Sequence, residues 1–204
     1  MNATSITPAS TDRDRAKAQR RRDLLVEATR LFAIRGYAGV SLEDLGAACG
    51  ISGPAVYRHF SGKSAVLIAL LVGVSQDLLK GGKEVRAEGG TPSEILGRLI
   101  SFHTDFALAR PDMIQVQDRN LEALPEAELH LVRKLQRDYI SLWTEQLHLI
   151  HPEESATVIR FRAHAAFGLL NSTAHSAHSP RTSKKGLRKL LNQMATAALS
   201  TPVG

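Results

Sequence analysis

Three observations predict an all-α fold. Apolar residues recur at three- and four-residue spacing along most of the chain. Almost no segment alternates with the period of a strand. Ser, Pro and Gly fall where helices would begin and end. The chain's 204 residues suffice for one large domain or two small ones with a real core. A balance of 43% hydrophobic to 23% charged residues excludes global disorder. Cys49 is the sole cysteine, which excludes an intramolecular disulfide framework or a multi-cysteine metal site and suits a reducing compartment. No apolar stretch reaches the roughly 18 residues of a membrane span, and Met1 to Asp12 hold no signal-peptide core. A cytoplasmic chain is therefore expected, with no membrane partner.

The first predicted helix covers Arg20 to Arg35, with Leu24, Leu25, Ala28, Leu31 and Phe32 in period and Gly36 closing it. Ser41 with Asp44 three residues on makes a capping-box pair for a short second helix. Leu42, Leu45 and Ala48 are its inner face, and Gly50 ends it. Ser52 caps a short third helix that tolerates Pro54 in its first turn. After a break at Ser61 or Gly62, Val66, Leu67, Leu70, Leu71, Val74 and Leu78 keep the period of a fourth. Gly81, Gly82, Gly89, Gly90 and Pro92 read as a flexible join and the best domain boundary. Beyond it, one helix runs from about Pro92 to Ala109 and another from near Pro125 to Ile150. A third is opened by Glu153 and Glu154 and runs to about His175, and a last spans roughly Lys184 to Ser200. The expected division is a flexible basic arm at 1–19, a helix-turn-helix domain with its connecting helix at 20–80, and a helical domain at 81–204.

The net charge of +6 is uneven. Residues 1–80 carry eleven Lys and Arg against seven Asp and Glu; residues 81–204 carry fifteen against thirteen. Arg13, Arg15, Lys17, Arg20, Arg21 and Arg22 fall within ten positions. Such an arm is either solvated or in contact with phosphates or a minor groove, and the segment after it decides.

That segment, Ser41 to Phe60, has the logic of a helix-turn-helix. Ala47 is small enough for the helices to approach, Gly50 relieves the turn, Ile51 plugs the corner and Val56 packs inward. Ser52, Gly53, Ala55, Tyr57 and Arg58 can then face outward, and small residues at the start of the second helix allow close approach to a major groove.

Residues 20–70 resemble the N-terminal DNA-binding domain of TetR-family transcriptional repressors. The likeness runs from Leu-Phe-Ala-Ile-Arg-Gly-Tyr at 31–37 through Val-Ser-Leu-Glu-Asp-Leu at 40–45 into Val-Tyr-Arg-His-Phe-Ser-Gly-Lys at 56–63. The resemblance implies that Ser41 and Lys63 hold phosphates and that Ser52, Gly53, Ala55, Tyr57 and Arg58 form the recognition surface. It also implies that Tyr57 and His59 meet the DNA backbone and that Phe60 packs between helices. Many relatives carry Lys or Arg where this chain has Gly53. Base reading then leans on Arg58, suited to guanine O6 and N7, with Tyr57, groove shape and the arm (Arg15, Lys17, Arg20, Arg21) assisting.

The resemblance further implies a homodimer through the last two helices, setting two recognition helices about 35 Å apart on a palindromic double-stranded operator. Ala163, Ala165, Ala166, Gly168, Ala174, Ala195, Ala197 and Ala198 would let those helices approach. Leu169, Leu170, Leu187, Leu190, Leu191 and Met194 would fill between them. It implies too that the middle of the chain lines a cavity for a small-molecule effector, and a faint likeness to regulators of acyl-CoA metabolism favours an acyl-CoA or other apolar metabolite. Candidate lining residues are Phe102, His103, Phe106, Gln117, Asn120, Gln136, Tyr139, Trp143, His164 and Phe167; for each the more ordinary reading is a satisfied core residue.

Enzyme readings have little support. There is no Gly-rich phosphate loop and no evident Ser/His/Asp set, and Cys49 sits in the helix-turn-helix as a small packing residue. His148 with His151, and His175 with His178, have metal-ligand spacing, but no acid or thiol completes either pair. No metal, cofactor or catalytic residue is expected. A nonspecific architectural DNA-binder is the rival reading, though it would need no second helical domain.

Overall fold

The computed structural model describes residues 12–176 and 183–201, and among these every regular element is helical. The helices are α1 (Asp12–Arg35), α2 (Leu42–Ala48), α3 (Gly53–Val56), α4 (Lys63–Ala87), α5 (Pro92–Ala109), α6 (Pro111–Asn120), α7 (Glu126–Ile150), α8 (Ala156–Asn171), α9 (Thr173–Ser176) and α10 (Lys184–Ser200), with a short 3₁₀ turn at Leu121–Ala123. The chain forms two compact units, Met1–Val66 and Leu67–Gly204.

In the first unit, α1 packs on α2 and α2 on α3. Leu24, Ala28, Leu31, Phe32, Val40, Leu42, Leu45, Val56 and Phe60 are buried. Residues 12–19, expected as flexible arm, are helical instead. Ala, Arg, Lys and Gln are strong helix formers, Asp12 and Asp14 sit favourably at the N-terminus, and Arg15 pairs with Asp12 at 2.5 Å. All of 12–22 is exposed, because the buried stripe begins at Leu24. The rest of the expected arm, 1–11, lies outside the described residues.

The α2–α3 corner is closer than its sequence suggests. Gly46, not Ala47, is the residue at the contact: a Cβ there would lie 2.8 Å from the Ile51 carbonyl oxygen. Ala47 and Ala48 are exposed. Gly36 and Gly50 take φ of +75° and +65°, the left-handed conformation that lets each helix end and turn.

In the second unit, α5 packs on α7, α8 and α10, while α8 also meets α7 and α10. The core joins Leu79, Ile95, Leu96, Leu99, Ile100, Tyr139, Leu142, Trp143, Leu147, Ile159, Ala163, Ala166, Leu170, Leu191, Ala195 and Leu199. The expected join at Gly81-Gly82 lies inside α4. A Cβ at Gly81 would come 2.3 Å from the Phe102 ring, and one at Gly82 2.6 Å from the Tyr139 ring. The pair serves close packing against aromatic rings. Helix α4 also has the length and mean hydropathy, 1.5 over 18 residues, of a membrane span. The sequence reading missed this, yet its Val66, Leu67, Leu70, Leu71, Val74 and Leu79 are buried in the fold.

Two further expectations change. Helix α6 follows α5 directly, with Pro111 in its first turn rather than acting only as a stop. Glu153 and Glu154 do not open α8: Ser155 caps it, accepting from the Val158 amide at 3.3 Å. Glu154 instead turns inward to Arg162, and both side chains are buried. Arg162 also donates to the carbonyls of Ala198 (3.1 Å), Leu199 (2.7 Å) and Thr201 (2.6 Å), so one guanidinium closes the C-terminal end of α10.

Candidate nucleic-acid interface and effector core

The expected recognition surface lies at α3. Val56 and Phe60 are buried, whereas Ser52, Pro54, Tyr57 and Arg58 are exposed, Tyr57 by 56%. Gly53 and Ala55 are half-buried. A Cβ at Gly53 would stand 3.1 Å from Glu43 Cγ, so α3 starts tight against α2. Ser41, Tyr57 and Lys63 line one open cleft of about 480 Å³ with Val40, Glu43 and Asp44.

Several of the expected phosphate-binding groups are already bonded within the protein. The Ser41 amide and hydroxyl both donate to Asp44 Oδ2, at 2.8 and 2.7 Å, and the Asp44 amide donates back to Ser41 Oγ at 3.0 Å. Those bonds, with the Arg35 guanidinium 3.3 Å away, hold the Asp44 carboxyl below its ordinary value. Both Ser41 donors thus face Asp44. Lys63 Nζ donates to the Tyr37 and Ala38 carbonyls at 2.9 and 3.2 Å and stands 4.6 Å above the Tyr37 ring. One of its three N–H groups remains for another acceptor.

Arg20 donates to the Cys49 carbonyl at the C-terminal end of α2, at 3.2 Å. Arg21 stands 4.5 Å above the Phe60 ring. Lys17, Arg20, Arg21 and Arg58 all act on His59, which burial and these four cations hold below the ordinary histidine value. The structure thus gathers Lys17, Arg20, Arg21, Arg58 and His59 into one electropositive cluster; Arg15 is exposed and paired with Asp12. Burial, with Glu27 and Asp23 adding, raises the Cys49 thiol, which disfavours a nucleophilic thiolate.

Six of the ten candidate effector residues come together in the second unit. The His103 ring is stacked on Tyr139 at 5.8 Å and edge-on to Phe167 (4.8 Å) and Trp143 (6.1 Å), with Phe106 tilted at 5.8 Å. Phe102 packs on the same core. Burial pulls the His103 pKa down to about 4, opposed by its bond to Asn171, so the imidazole is neutral near pH 7. Its Nε2–H donates to Asn171 Oδ1 at 3.0 Å, leaving Nδ1 to accept the Tyr139 hydroxyl at 3.3 Å. Burial also raises the Tyr139 phenol. The result is an aromatic, uncharged core with a short internal hydrogen-bond chain.

The other four candidates lie elsewhere. His164 is exposed on α8, because that face of the helix turns outward. Asn120 is buried, but its side chain donates to the Val116 carbonyl one turn back. Gln117 and Gln136 are half-buried, on α6 and α7. Sequence reasoning missed Asn171; the available signal was a polar residue one helical turn beyond Phe167 on α8.

The histidine pairs also differ from expectation. His148 is exposed, while buried His151 lies with Glu153 and Glu154, their ligand atoms within 4.8 Å of one another. Acids do therefore gather at His151, but Arg162 already brings a cation to Glu154, and His151 Nε2–H donates to the Leu199 carbonyl at 2.7 Å. His175 faces Asp118 at 3.5 Å; its expected partner His178 lies outside the described residues.

Helices α8 and α10 also expose large apolar side chains. Phe161 is 74% exposed, Leu190 50% and Met194 45%. Val158, Phe161, Ala165, Leu169 and Ala198 line a groove of about 640 Å³ with Arg162. Ala163, Ala166, Leu170, Leu191 and Ala195 face inward.

Residues 24–70 match the family model for bacterial regulatory proteins of the tetR family. Over 139 residues the chain is 27% identical to the HTH-type transcriptional repressor KstR2 of Rhodococcus jostii, covering 68% of each protein. It shares its fold with a TetR-family regulator from Bordetella parapertussis (TM-score 0.77, 24% identity, 86% and 93% of the two chains). It also shares the fold of AibR, solved with isovaleryl coenzyme A and operator DNA (TM-score 0.72, 18% identity, 86% and 97%). The helix-turn-helix geometry and the family model agree: residues 24–70 are a regulatory domain of the tetR family, and the chain as a whole has the fold of TetR-family transcriptional regulators.

Proposed function

We propose that the chain is a cytoplasmic, ligand-responsive transcriptional repressor that binds a palindromic operator as a homodimer. A small-molecule effector, an acyl-CoA or an apolar metabolite, releases it. The observation that carries this reading is the exposed recognition surface of Tyr57, Arg58 and Ser52 beside the cluster of Lys17, Arg20, Arg21 and His59. The aromatic, uncharged core around His103 supports a ligand with an apolar group such as an acyl chain, and AibR was solved with isovaleryl coenzyme A. The apolar groove beside Phe161 and the exposed Leu190 and Met194 support dimerisation through α8 and α10, since exposed apolar patches mark interaction sites.

The mechanism is two-state. The dimer occupies the operator and blocks transcription. The effector binds the form that does not fit DNA more tightly, and only that differential affinity moves the equilibrium. Phe102 and Tyr139 touch α4 at Gly81 and Gly82, so a ligand that displaces either ring acts on α4 directly.

The test is a band shift with DNA from upstream of the chain's own gene under excess nonspecific competitor, followed by titration with acyl-CoAs of graded chain length. A complex that survives competitor and is released by an acyl-CoA but not by free CoA is the expected result. Loss to competitor would leave a nonspecific DNA-binder, and indifference to every acyl-CoA would remove that effector class. Light scattering should give a dimer.

A further inference from the structure

We propose that DNA binding by this protein is coupled to protonation of His59, so that each subunit takes up a proton as it docks and binding tightens as pH falls. The inference rests on the regulator reading above and adds a regulatory property to the same surface.

The geometry is a fixed positive frame around a titratable ring. His59 lies in the turn after α3, its amide bonded to the Val56 carbonyl at 2.8 Å. Its Nδ1 is shut away from solvent and has no hydrogen-bond partner. The charged groups that face it are Lys17, Arg20 and Arg21 of α1 and Arg58 beside it, all cationic. Two of them are tethered: Arg20 to the Cys49 carbonyl at 3.2 Å, and Arg21 above the ring of the adjacent Phe60 at 4.5 Å. Both arginines are thus held beside the turn by contacts within the protein. In the free protein the frame and partial burial therefore disfavour imidazolium, and His59 is neutral near pH 7. A phosphate backbone brought to Lys17, Arg20 and Arg21 cancels that repulsion and offers an anion to the ring. Imidazolium becomes the favoured form, and by linkage a group whose pKa rises on binding strengthens binding as pH falls.

The experiment measures affinity for a fluorescent duplex of the upstream DNA from pH 6.0 to 8.0 at constant ionic strength, for the intact chain and for His59→Gln. Calorimetry at pH 7 in two buffers of different ionisation enthalpy counts the protons directly. The intact chain should bind more tightly with each step down in pH, by up to about tenfold per unit for each subunit. Its binding enthalpy should depend on the buffer. His59→Gln should lose most of the pH slope and of the buffer dependence while keeping the same melting temperature. Equal slopes for the two proteins, or no proton uptake by the intact chain, would overturn the proposal while leaving the regulator reading intact. Binding by neither protein at any pH would remove the regulator reading, and the proposal with it.

Discussion

The two units use polar chemistry in opposite ways. In the first, cations are held at the surface by carbonyls and rings of the protein itself: Arg20 on Cys49, Lys63 on Tyr37 and Ala38, Arg21 on Phe60. In the second, the polar atoms of the aromatic core are sunk among rings, and burial keeps His103 neutral near pH 7. A surface that meets a polyanion benefits from charges fixed in advance, because less side-chain freedom is lost on docking. A core that receives an apolar ligand benefits from having no charge to desolvate.

The largest expected effect tests the core. Trp143→Ala removes a fully buried ring that touches His103, Tyr139 and Phe167, and should cost about 3–5 kcal/mol in urea unfolding followed by circular dichroism. Because Trp143 is the sole tryptophan, fluorescence of the unaltered chain reports the second unit alone. Fluorescence and circular dichroism transitions that separate would show the units unfolding independently.

The next effect tests the surface. Arg58→Ala should weaken operator binding by about 1–3 kcal/mol and relax base preference at one position of each half-site. The melting temperature should not change, since the side chain is exposed. An unchanged affinity would move base reading to Tyr57 and groove shape.

The smallest effect tests the capping box. Ser41→Ala should cost about 1 kcal/mol of stability. Asp44 has a folded pKa below its ordinary 3.8, so its contribution is present above that value and fades as pH falls through the lower folded one. Melting temperatures between pH 5 and 2 should fall less steeply in Ser41→Ala than in the unaltered chain, because the Ser41 hydroxyl bond that lowers the carboxyl is gone.

What could be read from sequence was what is decided locally. The Ser41–Asp44 cap, the stops at Gly36 and Gly50 and the start of α10 depend on residues within one turn. What could not be read depends on distant partners. Arg20 meets a carbonyl 29 positions away, Lys63 one 26 away, and His103 an amide 68 away. Gly81-Gly82 misled for the same reason: locally glycine suggests flexibility, and only Phe102 and Tyr139 make it a packing surface. Glu154 looked like a helix-start charge until Arg162 claimed it.

The glycine pair also restricts how α4 can move. With a ring seated on each backbone position, turning the helix about its axis or sliding it by one residue would drive a neighbouring side chain, Lys80 or Lys83, into Phe102 or Tyr139. Two residues without side chains thereby key the register and facing of α4 against α5 and α7.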